Sequence, residues 1–174
     1  MNNKLRGVVQ AALLVATTGY MMTVSAWTDD LDKLGNVNSI CKLEPEAQCS
    51  WAVRVNVQAP GVDMHESSMA SMRLDGSNLQ GANLSYSIIQ LASLKDTNLM
   101  LANLEGAHMH GVNLQNANLM LANLRKVNLL DADLSGANLQ GANLQGAIVM
   151  KAKFDGATWT DGRTCATGSI GECL

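Results

Sequence analysis

ANLML-ANLRK-VNLLD-ADLSG-ANLQG-ANLQG, residues 117–146, is one five-residue pattern written six times. Outward from this stretch the phase holds without interruption from Leu74 to Trp159. Thirteen of the eighteen central positions are Leu, and the others are Ile89, Met109, Val149, Phe154 and Trp159. Two residues before the centre stands Ala in twelve of eighteen repeats, and between them stands Asn in ten, or Asp133. A repeat this regular decides the fold before any other feature is read.

Period five fits neither regular element. On an α-helix five residues advance about 500°, so the Leu would drift around the axis. On a straight strand an odd spacing throws successive Leu to opposite faces. The pattern is consistent only if the chain turns a corner in every repeat. Ala and Leu, two apart, then share the inner face while the Asn between them points out. The two residues after Leu make the corner. The second of them is Gly in eight repeats and Asn or Asp in four, the residues that best tolerate turn geometry. Four corners close a coil, so each residue stacks on the one twenty positions later. Coils about 4.8 Å apart are joined by backbone hydrogen bonds. The interior is narrow, so only a small residue fits beside Leu, and Ala122→Leu is expected to overpack it at a cost of about 1–3 kcal/mol or more.

Ala82-Asn83-Leu84, Ala102-Asn103-Leu104, Ala122-Asn123-Leu124 and Ala142-Asn143-Leu144 resemble the repeats of the pentapeptide-repeat family. The resemblance covers residues 74–159, with weaker repeats centred on Met64 and Met69. It implies an all-β solenoid, a right-handed quadrilateral β-helix, and eighteen repeats give about four and a half coils. The family serves several unrelated roles, so the fold does not dictate the function.

The ends read differently. Residues 1–26 have the form of a signal peptide: Lys4 and Arg6, an uncharged and largely apolar run from Val8 to Val24, and the small-residue site Val24-Ser25-Ala26. At about 17 residues, interrupted by Gln10, Thr17, Thr18 and Gly19, the run is marginal for a membrane span. Cleavage after Ala26 leaves no spanning segment and places the mature chain in the periplasm or outside the cell. No Cys follows the run closely enough to suggest a lipoprotein.

Four Cys remain, as two pairs of equal spacing, Cys41 with Cys49 and Cys165 with Cys173. Four Cys allow three connectivities. The pairs flank opposite ends of a rod about 22 Å long, and a disulfide needs Cα atoms within about 7 Å. Local bridges 41–49 and 165–173 are therefore expected, in the oxidising compartment the signal peptide implies. They would staple the open ends of the stack. Phe154 and Trp159 replace the inner Leu at the C-terminal end as larger plugs. The stretch from Gly156 to Cys165, closing with Gly168-Ser-Ile-Gly-Glu-Cys173, resembles the tail of exported bacterial pentapeptide-repeat proteins. Val53, Val55 and Val57 alternate with Arg54 and Asn56 and read as a strand ended by Pro60-Gly61. The expected organisation is a signal peptide (1–26), an N-terminal leader and cap (27–61), the β-helix (62–160) and a disulfide cap (161–174).

Two of the four sides carry ordinary polar surface. The side centred on Leu79, Leu99, Leu119 and Leu139 presents Met100 and Leu101, then Met120 and Leu121 one coil above. The side centred on Ile89, Met109, Leu129 and Val149 presents Ile88, Leu91, Leu130, Ile148 and Met150, with His108 and His110. Contiguous apolar surface marks interaction sites, and adaptable Met is common in them. These residues are the candidate binding surface, unless the segment before Val62 folds back over one patch. The partner would be a second copy or another envelope or extracellular protein. His108 and His110 flank Met109 on one side, about 7 Å apart as alternate strand residues are. Asp131 is the nearest further ligand, and no third ligand column accompanies them. The stacked Asn read as ladders between coils rather than as a glycan site.

No catalytic constellation is present: no G-x-S-x-G, no phosphate-cradling loop and no metalloprotease helix. His65, near Asp63 and Glu66, has no nucleophile beside it. Neither a catalytic residue, a metal nor a cofactor is expected. Topoisomerase protection by DNA mimicry, a role of some family members, fits poorly. Ser67 to Thr160 holds six Lys or Arg and six Asp or Glu, and a DNA mimic needs strong negative charge. No basic stripe supports nucleic-acid binding either. The expectation is a non-enzymatic exported scaffold, with a secreted effector as the alternative.

Overall fold

The computed structural model describes residues 41–174; the expected signal peptide and cleavage site lie outside them. From Gln48 to Thr158 the chain is a ladder of parallel bridges, each joining residue i to i+20. Five residues per repeat and twenty per bridge make four sides to each coil, the quadrilateral β-helix of the sequence argument. We number them in chain order. Side 1 is centred on Leu74, Leu94, Leu114, Leu134 and Phe154; side 2 on Leu79, Leu99, Leu119, Leu139 and Trp159. Side 3 is centred on Leu84, Leu104, Leu124 and Leu144, and side 4 on Ile89, Met109, Leu129 and Val149.

One hydrogen-bond scheme recurs on every side. The outward residue donates to the coil below, as Asn103 N–H does to Ala82 O (2.8 Å). The central and corner residues donate to the coil above, as Leu104 N–H does to Asn123 O and Gly106 N–H to Arg125 O (2.8 and 2.9 Å). The corner closes locally, as in Ala107 N–H to Leu104 O (3.0 Å). Polar backbone is thus consumed coil by coil, and the interior is left to Leu and Ala, which are buried together through the stack. Where the Ala column carries a hydroxyl, the hydroxyl is satisfied: Ser87 donates to Leu84 O (2.6 Å) and Thr97 to Leu74 O (3.1 Å). The Asn ladder is present as well. Asn98 donates to Asn78 Oδ1, and Asn118 to Asn98 Oδ1, at 3.2 Å. Each Oδ1 also accepts the backbone N–H two residues on, so the column braces both the coil spacing and the corner.

The ladder reaches back to Gln48, inside the stretch read as leader and cap. Val53, Val55 and Val57 do not make the expected straight strand. Val53 pairs outward with Arg73, Val55 lies exposed at a corner, and Asn56 turns the chain with φ 57°. Cys49, Arg54 and Ala59 occupy the central column here, a substitution pattern that hides the repeat. The backbone bonds to the following coil (Cys49 N–H to Ser68 O, 2.7 Å; Arg54 N–H to Arg73 O, 2.8 Å) hold the geometry regardless. Cys41 and Cys49 form a disulfide, and Arg54 donates to Cys41 O at 2.8 Å.

At the other end the chain reverses. Thr164 and Ile170 pair antiparallel with Thr158 and Lys153, so the tail folds back over sides 2 and 1. The Cys165–Cys173 disulfide closes it. Phe154 is fully buried beneath, edge-on to Trp159 at 5.0 Å between ring centroids.

Candidate functional site

The corner is where this fold exposes side chains, and its conformation sets their cost. Every fifth residue from Glu46 to Gly156 has positive φ. Gly adopts this geometry freely; an L-residue there is held against a cost of about 1–2 kcal/mol. Leu91, Leu101 and Leu121 nonetheless occupy corners, at φ 56°, 61° and 59°, and all three are exposed. Leu101 and Leu121 are stacked neighbours, at 53% and 54% exposure, joined through Leu101 N–H to Met120 O (3.0 Å). Met100 and Met120, half-buried, lie beside them. The expected side-2 cluster therefore forms, but along the edge leading into side 3 and not across the middle of side 2.

On side 4, Ile88, Leu91, Ile148 and Met150 are exposed, whereas Leu130 is half-buried. Two exposed aromatics extend the apolar surface and were not among the sequence candidates. Tyr86 takes the corner entering side 4 and leans over the corner of the next coil, where a Cβ on Gly106 would meet its ring at 2.6 Å. Trp51 takes the corner leaving side 4, in the same column as Leu91. The corner phase marks Tyr86 as exposed once its column is read, and Trp51 was hidden because its repeat is degenerate.

The ionisable groups assemble into local pairs. His110 Nε2 lies 3.5 Å from Asp131 Oδ2, the neighbour expected from the next coil, and His108 is exposed in the column between Ile88 and Asn128. His65 Nδ1 meets Asp63 Oδ1 at 2.8 Å. That hydrogen bond pulls the Asp63 carboxyl below its ordinary value and raises the His65 imidazole above its own. Any stabilisation from the charged pair fades as pH rises through the raised His65 value or falls through the lowered Asp63 value. Burial pushes Asp133 upward, but hydrogen bonds from Ser135 and Gln115, with Lys153 nearby, outweigh it and lower its pKa. Among the described residues no group of three or more His, Cys, Asp or Glu is placed to hold a metal, and no helix is long and apolar enough to cross a membrane.

A family model described as pentapeptide repeats matches in eight copies, over residues 63–99, 77–116 and 117–156. No curated protein matches the chain. Among solved structures, a pentapeptide repeat protein from the Arabidopsis thaliana thylakoid lumen is 20% identical, covers 82% of this chain and 93% of its own, and has a TM-score of 0.38. The pentapeptide repeat protein Rfr23 from the cyanobacterium Cyanothece 51142 is 26% identical over 68% of this chain and 88% of its own, with a TM-score of 0.37. HetL from Nostoc sp. strain PCC 7120, involved in heterocyst differentiation regulation, is 20% identical over 82% and 99%, with a TM-score of 0.24.

Proposed function

Given that the chain belongs to the pentapeptide-repeat family, a family of right-handed quadrilateral β-helices, we propose that it is a non-enzymatic exported scaffold. It binds another envelope or extracellular protein along the corner built by Met100, Leu101, Met120 and Leu121. One observation carries this reading: two stacked Leu are exposed in a left-handed backbone geometry that disfavours them. Scattered apolar side chains on a surface mean little. Here the same unfavourable choice occurs in two successive coils, at positions where Gly would relieve the strain, and Met pads both. Backbone strain retained at an exposed site points to function more than to stability.

The mechanism is rigid display. Bonds above and below fix the corners of Leu101 and Leu121, so binding there costs little ordering entropy. Export is supported by the two disulfides, which form and persist in oxidising compartments, and by the leader-like sequence of residues 1–26. In this reading residues 1–26 are the signal peptide, and the cap shares residues 48–61 with the first coil of the ladder.

Met120→Glu with Leu121→Ser tests the surface. Captured envelope proteins are expected to dissociate about tenfold faster or more from the double variant, because truncating central contacts acts mainly on the off-rate. The thermal melt should hold, since both side chains lie at the edge of the fold. Equal capture by variant and wild type would sink the proposal. Intact mass from fractionated cells, taken without reductant, tests the address. A periplasmic or secreted species starting at Trp27, with both disulfides formed, is expected; a full-length, reduced cytosolic species would reject export.

A further inference from the structure

The C-terminal end of the ladder is uneven. The tail covers sides 1 and 2, but among the described residues nothing follows over sides 3 and 4. Leu144, Ala147 and Val149, inward residues, are half-buried there, whereas Leu124, Val127 and Leu129 one coil below are fully buried. Elsewhere the central N–H and the carbonyl two residues before it bond to the next coil, as in Leu124 N–H to Asn143 O (2.9 Å) and Asn143 N–H to Ala122 O (3.0 Å). On the last coil the corresponding groups, Leu144 and Val149 N–H with Ala142 and Ala147 O, have no partner among the described residues. Such an edge is a template for another chain.

The tail carries the complementary groups. In its antiparallel pairing, Phe154 N–H bonds to Ser169 O and Gly171 N–H to Ala152 O, both at 2.8 Å. Ile170 sits between these bonds, so its own N–H and C=O point away from its chain. Thr164, between Trp159 N–H to Arg163 O and Cys165 N–H to Ala157 O, does the same. A residue continuing the stack over Ile148 must donate to Ala147 O and accept from Val149 N–H. Ile170 presents that pair of groups, and Thr164 presents the equivalent pair for Asn143.

Direction and spacing agree. The tail runs against its own coils, so a two-fold rotation perpendicular to the rod makes it run parallel to the coils of a second molecule, as the ladder requires. An axis through the corner between sides 2 and 3 exchanges side 2 with 3 and side 1 with 4. It lays Thr164 over the second molecule's Asn143 and Ile170 over its Ile148. Within its own chain the tail already spans Thr158 and Lys153, which have the same five-residue spacing as Ile148 and Asn143. Chemistry matches as well: Ile170 and Ile148, 58% and 48% exposed, meet each other, and Thr meets Asn.

We propose that two copies of this chain associate end to end about this two-fold axis, each tail supplying the half-coil that the other lacks. The contact is isologous, so each molecule both gives and receives. It is separate from the Met100–Leu121 corner and independent of the function proposed for it. End-on contact near the lower bound of about 1,000 Å² for specific interfaces associates weakly.

Sedimentation equilibrium of the oxidised protein over a concentration series provides the test. A monomer–dimer equilibrium is expected. Ile148→Glu and Ile170→Lys, each at an exposed site, should separately weaken it about tenfold or more. Combined in one chain they should restore it, because Glu then faces Lys at both symmetric contacts. Met120→Glu with Leu121→Ser should leave the constant unmoved. Monomer at every concentration, or a dimer insensitive to both single substitutions, would overturn the proposal.

Discussion

Phe154→Ala is expected to cost about 3–5 kcal/mol in urea unfolding, the range for emptying a buried aromatic site. Phe154 is fully buried at the top of the side-1 Leu column. It meets Trp159 edge-on, an arrangement that adds to simple burial. The returning tail lies over it, tied to its backbone by Phe154 N–H to Ser169 O, and the buried Cys165 and Ser169 belong to that tail. A cavity here would sit under a segment whose backbone pairs on one edge only. Collapse onto the cavity would break those bonds, so relaxation is limited and the upper part of the range applies. A loss below about 1 kcal/mol would show that Phe154 is not the plug. Amide exchange should quicken from Cys165 to Ser169 before it quickens in the coils below.

Ala122→Leu is the second large effect, about 3 kcal/mol or more, at or beyond the upper end usual for overpacking. Ala122 is 1% exposed and stacks between Ala102 and Ala142, with Leu119 and Leu124 on either side along the chain. Its carbonyl accepts from Asn143 N–H and its own N–H donates to Leu119 O, both at 3.0 Å. A larger side chain therefore has no slack: moving the backbone outward breaks the bond to the coil above and the corner closure before it. Chemical denaturation measures the loss, and a midpoint equal to wild type would contradict a narrow, filled interior. The substitution separates this fold from a sandwich, where a neighbouring sheet could shift to make room.

How far the sequence could be read depends on where the repeat stays regular. Leu94 through Leu139 and their Ala partners mark the interior because period five leaves no other geometry, and the Asn columns follow from the same phase. The cysteine pairs were legible through distance alone, since a rod keeps its ends apart. Around Cys49, Arg54 and Ala59 the same coil is built from residues that do not look like the repeat. The signal is lost there because cross-coil backbone bonds, which carry no side-chain signature, do the holding. The candidate surface was half legible. Periodicity named Met100, Leu101, Met120 and Leu121 as outward, but it placed them on a flat side and missed Tyr86 and Trp51.

By itself the sequence determined the coil: its period, its inner and outer residues, its corners and the pairing of its cysteines. All of these are local or periodic consequences of side-chain size and turn preference. The tertiary structure alone decided that Leu101 and Leu121 sit in strained, exposed corners, and that the tail turns back over two sides and, among the described residues, leaves two uncovered. Those outcomes depend on where the stack stops and which backbone groups then lack a neighbour, and no repeat records its own end.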